Sequence, residues 1–592
     1  MNSAGSAGPL AEPAVFPEPA RALTSTRATV LACAGGVEHR SVSTLSAFAA
    51  LDADAGASFE ARAPSVHDGH GGGRVAVGAG WGGGGVFSAG MKNAVVAAVL
   101  TLTLAAGLGA QEQGAEPKAA AEAKWGADVV ETHHRVAVEG GELAYTARAG
   151  RMKLTTEDGK AKAELFFVAY TKDDVADPST RSVTFSFNGG PGSSSVWLHM
   201  GALGPKRVKM QAEGWAPPPP YELVDNPHTW LDATDLVFID PVTTGYSRAA
   251  EGEDAAQFHG VTPDVEWTAE FIRLWTTRYE RWASPKFLAG ESYGTTRAAG
   301  LVGHLQERHG MYMNGIVLVS AVLNFQTVRF DVGNDLPYVL FLPTCAATAW
   351  YHKQLAPELS GDLGALLAEV ERFAIDEYMP ALAKGDGLPA ADREVLVARL
   401  ARYTGLSQEY VEQCNLRIEQ GRFCKELLRD ERRTVGRLDS RFSGIDRDAA
   451  GERSEFDPSM SAILGPYTAT LNDYVRRTLR YENDLPYEIL TGRVQPWKYD
   501  QQNRYLNVGE TLRQAMTRNP HLKVYVAAGV YDFATPHFAA EYTVRALGLD
   551  ASLRGNIVTS RFEAGHMMYI HEGELVRFHD EIAAFLSGAA RR

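Results

Sequence analysis

The pentapeptide Gly290-Glu291-Ser292-Tyr293-Gly294 constrains this chain more than any other stretch. It follows the apolar run Lys286-Phe287-Leu288-Ala289 and precedes TTRAAGLVGHL, a helix-compatible sequence. A strand entering G-x-S-x-G and leaving as a helix places a serine on a sharp turn at the sheet edge. The flanking glycines allow the unusual backbone and the close approach that such a turn needs. The helix N-terminus behind the serine favours developing negative charge. In a chain with 58 glycines the motif alone is only moderately specific, so the rest of the sequence has to supply what a serine nucleophile requires.

It requires a base, and the base requires an orienting carboxylate. In α/β-hydrolase order the acid follows the serine and the histidine comes last. Asp532, in VYVAAGVYDFATP, directly follows a strand-like run. His566, in NIVTSRFEAGHMMY, follows the next one in a glycine-flanked loop. Either residue alone reads as an ordinary loop or cap residue; both, in this order and each after a strand, form a catalytic constellation. A fourth element is Asn188-Gly189-Gly190-Pro191-Gly192 with three serines behind it, after the run SVTFSF. Its glycines let backbone N–H groups converge, as an oxyanion hole demands.

Short apolar runs recur at 182–188, 235–240, 286–291, 315–321, 523–529 and 556–562, with helical patterns such as 264–283 between them. Strands alternating with helices predict an α/β fold of the α/β-hydrolase type, a mostly parallel mixed sheet covered by helices. Three earlier runs, HHRVAV, GELAYTARAGRMKL and AELFFVAYT, predict an antiparallel start to that sheet. From about 324 to 486 the rhythm breaks into long helical stretches with few strand signals. This divides the chain into a first core part (129–323), a large helical cap insertion (324–486) and a second core part (487–592).

The 592 residues carry a net charge of −14, which with no basic block argues against a nucleic-acid partner. Residues 1–90 lack periodicity and read as a disordered or non-native extension. Met91-Lys92-Asn93 followed by the apolar run 94–110 has the layout of a signal peptide, with cleavage after Ala110 and a polar linker at 111–128. The expectation is a periplasmic or secreted bacterial protein, without stable membrane association unless the 94–110 segment stays uncleaved. Cys414 and Cys424 lie in EYVEQCNLRIEQGRFCKELLRDERR, which reads as one helix. Ten residues on a helix span about 15 Å, too far for a disulfide, so only a break near Gly421 would let them pair. His133-His134 and the His304/His309 pair lack zinc-site spacing and read as solvent-facing or packing residues, the latter two on different helix faces; no metal or cofactor is expected.

Together FNGGPGSSS, ALGP (202–205), NPHTWLDATDLVFIDPVTTGYS (226–247), GESYG, GVYDFATP and EAGHM resemble the serine carboxypeptidase family, in family order over roughly 130–588. The resemblance implies Ser292 as nucleophile, His566 as general base and then acid, and Asp532 as its orienter. It implies the backbone N–H groups of Gly190 and Tyr293 as oxyanion donors. It also implies that Asn188 and Glu291 bind the terminal carboxylate of a peptide substrate. Two departures stand out: Ser186 where family members commonly carry Trp, and Ala202 where they commonly carry Glu. The second removes the partner carboxyl of Glu291 and predicts a broader pH range and weaker selectivity for free C-termini. Arg297 is a candidate substitute for that lost function, although an arginine early in a helix more ordinarily serves an ion pair. The expected function is a secreted serine-type carboxypeptidase acting through an acyl-enzyme. An esterase or acyltransferase on the same triad is the alternative, and a non-catalytic secreted binding protein the rival from another class.

Overall fold

A computed structural model describes residues 128–590. The 1–90 extension, the 91–110 segment and all but the last residue of the 111–128 linker lie outside the described residues.

One sheet organises the chain. Its labelled strands are β1 (Val130–Val138), β2 (Gly141–Thr155), β3 (Ala161–Lys172), β4 (Ser182–Phe187), β5 (Thr234–Ile239), β6 (Lys286–Glu291) and β7 (Gly315–Val319). A hairpin outside this sheet supplies β8 (Arg433–Val435) and β9 (Ser443–Ile445), and the sheet ends with β10 (Lys523–Gly529) and β11 (Ile557–Phe562). The spatial order is β1-β2-β3-β5-β4-β6-β7-β10-β11, and Arg248–Ala249 pairs with β3 as a short extra strand. β1, β2 and β3 form an antiparallel meander that joins β5 antiparallel. Every pairing from β5 through β4, β6, β7 and β10 to β11 is parallel. This is the doubly covered, mostly parallel sheet that the alternating runs predict.

Alternation along the strands builds the two faces. Phe287, Ala289, Val317, Val319, Tyr525 and Ala527 enter one core, which the C-terminal helix Glu572–Ala590 covers with Leu575, Phe578, Ile582 and Leu586. Their neighbours Leu288, Ile316, Leu318, Val524 and Val526 enter the other, under helices Val261–Arg278 and Tyr293–His309. A strand buried on both faces cannot alternate polar with apolar, which is why these runs are continuously hydrophobic.

Between β7 and β10 lies a largely helical stretch, including Leu336–Tyr351, Leu363–Phe373, Ala390–Thr404 and Pro458–Asp473. It has its own core, which also takes in Val530, Tyr531 and Phe533 of the segment after β10. Two details differ from the sequence reading. The stretch contains the hairpin β8–β9, whose three-residue strands are too short to give an alternating signal. The supposed single helix around Cys414 is two, Gln408–Gln413 and Gln420–Glu426. The break falls at Asn415 and Leu416, both at positive φ, rather than at Gly421, which is helical. Burial of Leu416 and Ile418 overrides the local helical preference there. Cys345, Cys414 and Cys424 are free and buried.

Candidate active site

Ser292 closes β6 with φ 60° and ψ −129°, a conformation costly for a residue with a Cβ. Its surroundings hold it there. Its N–H donates to Val319 O on β7 (3.0 Å), and its carbonyl accepts from the N–H (2.9 Å) and hydroxyl (2.7 Å) of Thr295. A Cβ at Gly290 would lie 2.2 Å from the Gly294 carbonyl, and one at Gly294 would lie 2.9 Å from Phe187 O on β4. Both motif glycines are therefore fixed by close backbone approach.

The Asn188–Ser195 loop leaves β4 directly against this turn. A Cβ at Gly189 would fall 2.4 Å from the Tyr293 nitrogen, so the two backbones touch. Gly190 follows at φ 100°. Neither the Gly190 nor the Tyr293 N–H donates a hydrogen bond among the described residues, leaving two adjacent donors beside Ser292. The far end of the loop is anchored: Ser194 N–H donates to Ile489 O (2.9 Å), and Ser195 donates through N–H and hydroxyl to Asp240 Oδ1 (2.8 Å each). Burial pushes the Asp240 carboxyl up to about 6, against the opposing pull of these Ser195 bonds.

Asp532 and His566 follow β10 and β11. Asp532 is fully buried; its Oδ1 accepts from the N–H groups of Ala534 (2.7 Å) and Thr535 (3.1 Å), and its Oδ2 accepts from the Thr535 hydroxyl (2.8 Å). That same Oδ2 lies 2.7 Å from His566 Nδ1. Placing the proton on Nδ1 leaves Nε2 as the basic nitrogen. Burial disfavours the imidazolium, but the Asp532 charge and hydrogen bond outweigh it and hold the His566 pKa above its ordinary value. β7 bridges the serine and histidine sides through consecutive residues: Val319 O receives Ser292 N–H, and the Ser320 hydroxyl donates to His566 O (2.7 Å). The Ser292 hydroxyl itself makes no hydrogen bond among the described residues, to His566 or to any other group.

Glu291 is buried beside the serine, and the Tyr569 hydroxyl donates to its Oε2 at 2.5 Å. Burial is the main cause that pushes its carboxyl up to about 7, opposed by His566 and by the Tyr569 bond. Asn188 is also buried; its Oδ1 accepts from Leu198 N–H (3.1 Å). Its Nδ2 is near enough to Glu291 to favour the carboxylate, yet makes no well-formed hydrogen bond. Ala202 is a buried methyl in the aromatic core. The adjacent Gly201 presses on the Tyr569 ring and the Tyr467 hydroxyl, where a Cβ would come within 2.4 and 2.6 Å. Ser186 is buried with an unpartnered hydroxyl. Arg297 is buried too: its Nε donates to Asp264 Oδ2 (2.7 Å) and a guanidinium nitrogen to Asn188 O (2.6 Å), and it stacks against Tyr293 and Phe187. It braces the underside of the Asn188 loop, as an ion-pair residue and not as a carboxylate receptor.

Sequence reasoning missed Thr535 and Tyr569, which sit three residues after Asp532 and His566 and carry no motif of their own. It also set His304 and His309 on different faces, whereas their rings pack edge to face at 5.9 Å. Among the described residues no cluster of His, Cys, Asp or Glu could hold a metal, and no helix is long and apolar enough to cross a membrane.

A family model described as serine carboxypeptidase matches residues 142–329. Serine carboxypeptidase-like 45 of Arabidopsis thaliana is 25% identical over 249 residues, 38% of this chain and 50% of the relative. Carboxypeptidase Y of Schizosaccharomyces pombe is 29% identical over 171 residues, 28% of this chain and 16% of the relative. The chain thus spans at most half the length of these relatives. Among solved structures, a prohormone-processing carboxypeptidase from Saccharomyces cerevisiae superposes with a TM-score of 0.47 at 15% identity, covering 75% of this chain and 91% of that one.

Proposed function

We propose that this chain, which carries a serine carboxypeptidase segment at residues 142–329, is a serine-type carboxypeptidase that works through an acyl-enzyme. The observation that carries the reading is the His566–Asp532 contact of 2.7 Å at the strand ends of the same sheet whose β6 runs into a serine held at φ 60°. In this reading His566 Nε2 takes the Ser292 proton as the oxygen attacks the scissile carbonyl. The Gly190 and Tyr293 N–H groups receive the oxyanion, and His566 returns the proton to the leaving amine. Water then repeats the sequence to release the acid. The substrate's terminal carboxylate is received by Asn188 Nδ2, a buried donor without a good partner, and by Glu291.

Two carboxylates cannot share a buried site unless one is protonated. With Glu291 raised to about 7 by burial, it keeps a proton up to near-neutral pH even though the Tyr569 hydroxyl bond favours its carboxylate form and Ala202 offers no second carboxyl. Activity on free C-termini therefore declines as pH rises through about 7, and declines on the acid side as His566 becomes charged. An esterase or acyltransferase is the second reading, favoured by the buried methyl of Ala202 in place of a second carboxyl. Export through the 91–110 segment belongs to the same proposal; N-terminal sequencing of the natural protein checks it, and a start upstream of residue 91 defeats it.

Labelling with a fluorophosphonate probe tests the chemistry. Wild type should be labelled at Ser292, and the Ser292→Ala variant should be unlabelled and inactive. A well-folded wild type that resists the probe would overturn the reading. Comparing a blocked dipeptide with its amide and a simple ester then separates the two substrate classes. Preference for the free acid supports the carboxypeptidase, and indifference to the terminal group supports the esterase.

A further inference from the structure

The hairpin β8–β9 does more than decorate the insertion. Its loop, 436–442, reaches both segments that carry the acid and the base. Ser440 N–H donates to Tyr531 O (3.0 Å) and Phe533 N–H donates to Arg437 O (3.0 Å), so the loop pairs with the residues on either side of Asp532. His566 N–H donates to Leu438 O (2.6 Å), and Gly565 N–H donates to Asp439 Oδ2 (3.1 Å). Four bonds from one short loop thus bracket both catalytic segments.

Asp439 is the centre of this contact. Its side chain is almost fully buried and is gripped by Arg441 through Nε (2.9 Å) and a terminal nitrogen (2.6 Å). Arg441, equally buried, lies over the Tyr531 ring. The fit on the histidine side leaves no slack: a Cβ at Gly565 would lie 2.4 Å from Asp439 Cβ. The loop's outer side is fixed as well, by Leu438 N–H to Ser459 Oγ (3.0 Å) and His352 Nε2 to Ser440 O (2.7 Å). A buried carboxylate with a bidentate guanidinium partner is a rigid support for a backbone amide.

We propose that loop 436–442 is a clamp that sets the spacing of the acid and base segments, with Asp439 as a positioning residue for His566. The insertion is then part of the catalytic frame and not only a cover over it. The inference rests on the proposed serine-hydrolase reading for its effect on rate, because that effect follows only if His566 acts on Ser292.

Three variants of the full-length protein test it. Asp439→Ala removes the support, and Asp439→Asn keeps an acceptor for Gly565 while losing the paired charge. Asp446→Asn is the comparator: it weakens the equally buried pair (2.6 Å) between Lys425 on helix Gln420–Glu426 and Asp446 just after β9, which touches neither catalytic segment. The readouts are the fluorophosphonate labelling rate, kcat and KM on a simple ester, Tm, and the low-field proton resonance of His566 Nδ1–H. Asp439→Ala should slow labelling and kcat by about 100-fold, the cost of misplacing a reacting group by an ångström, with KM little changed. Asp439→Asn should lie between it and wild type, the His566 resonance should shift or broaden, and Asp446→Asn should lose Tm but keep its labelling rate. Wild-type labelling in Asp439→Ala, or equal slowing in Asp446→Asn, overturns the clamp. If Asp439→Ala fails to fold, Asp439→Asn carries the comparison. An unlabelled wild type defeats the hydrolase reading instead, and the His566 resonance alone then decides the clamp: unchanged in Asp439→Asn, it is overturned.

Discussion

The two halves of the candidate site are held by different balances of backbone and side-chain contact. The serine half, β4, β6 and the loop and helix after them, is fixed by backbone against backbone. Gly189, Gly290 and Gly294 sit where a single methyl would collide with main-chain atoms. The acid and base half, after β10 and β11, has one such backbone contact, where a Cβ at Gly529 would lie 2.1 Å from Gly565 O, but it depends in addition on side chains and on a loop from the insertion: Thr535, Ser320, Asp439 and the Asp532 carboxylate. Backbone contact admits almost no variation and writes itself as glycine motifs. Side-chain contact can be met by many residue types and leaves a fainter trace. The family match follows this division, covering residues 142–329 and stopping well short of Asp532 and His566.

If the division is right, lesions in the halves differ in kind. The largest effect is expected from Asp532→Asn, which preserves shape but turns His566 to the wrong tautomer. kcat should fall about 10⁴-fold with Tm nearly unchanged, and a large loss of Tm would break the comparison. Gly189→Ala should cost about 10²–10³ in kcat by displacing the oxyanion donors, and here Tm should fall in parallel. An active and stable Gly189→Ala protein would show that the backbone contact is looser than 2.4 Å implies.

Arg297→Ala should cost about 3–5 kcal/mol of stability by stranding the buried Asp264, without altering the preference for free over amidated C-termini. Denaturant unfolding alongside the two substrates checks both parts. A changed preference would return Arg297 to the substrate site. The smallest effect concerns Glu291. Its folded-state pKa of about 7 lies above the ordinary 4.5, so between these values the native state binds more protons than the unfolded chain. This contribution to stability is complete below pH 4.5 and is lost as pH rises through about 7. Glu291→Gln should therefore flatten both the stability profile and the KM for free-acid peptides above neutrality. A KM that still rises with pH in that variant would place the titrating group elsewhere.

Much of the sheet was legible because strands buried on both faces leave continuous apolar runs, as at 286–291 and 315–319. Asp532 and His566 could be picked out because each follows such a run. The hairpin β8–β9 could not, since its three-residue strands carry no period and Asp439 and Arg441 look like surface charge in sequence. Their burial against Gly565 exists only once the insertion has folded over the segment after β11. The Cys414 region failed for a related reason. Its local pattern is helical throughout, and only the burial of Leu416 and Ile418 forces the turn. Tyr569 was invisible because a tyrosine in an apolar segment is usually core. Its hydroxyl gains meaning from Glu291, remote in sequence.

The parallel pairing of β7 with β10 spans everything from residue 320 to residue 522. Ser292 and the proposed oxyanion donors thus lie on one side of the longest detour among the described residues, and the proposed acid and base on the other. During synthesis the nucleophile emerges hundreds of residues before anything can activate it. In the proposed reading, a chain interrupted anywhere in that detour lacks both the acid and the base. If the proposed reading holds, competence arrives only with the last two strands of the sheet, and a cell making this protein meets no active hydrolase before they are in place.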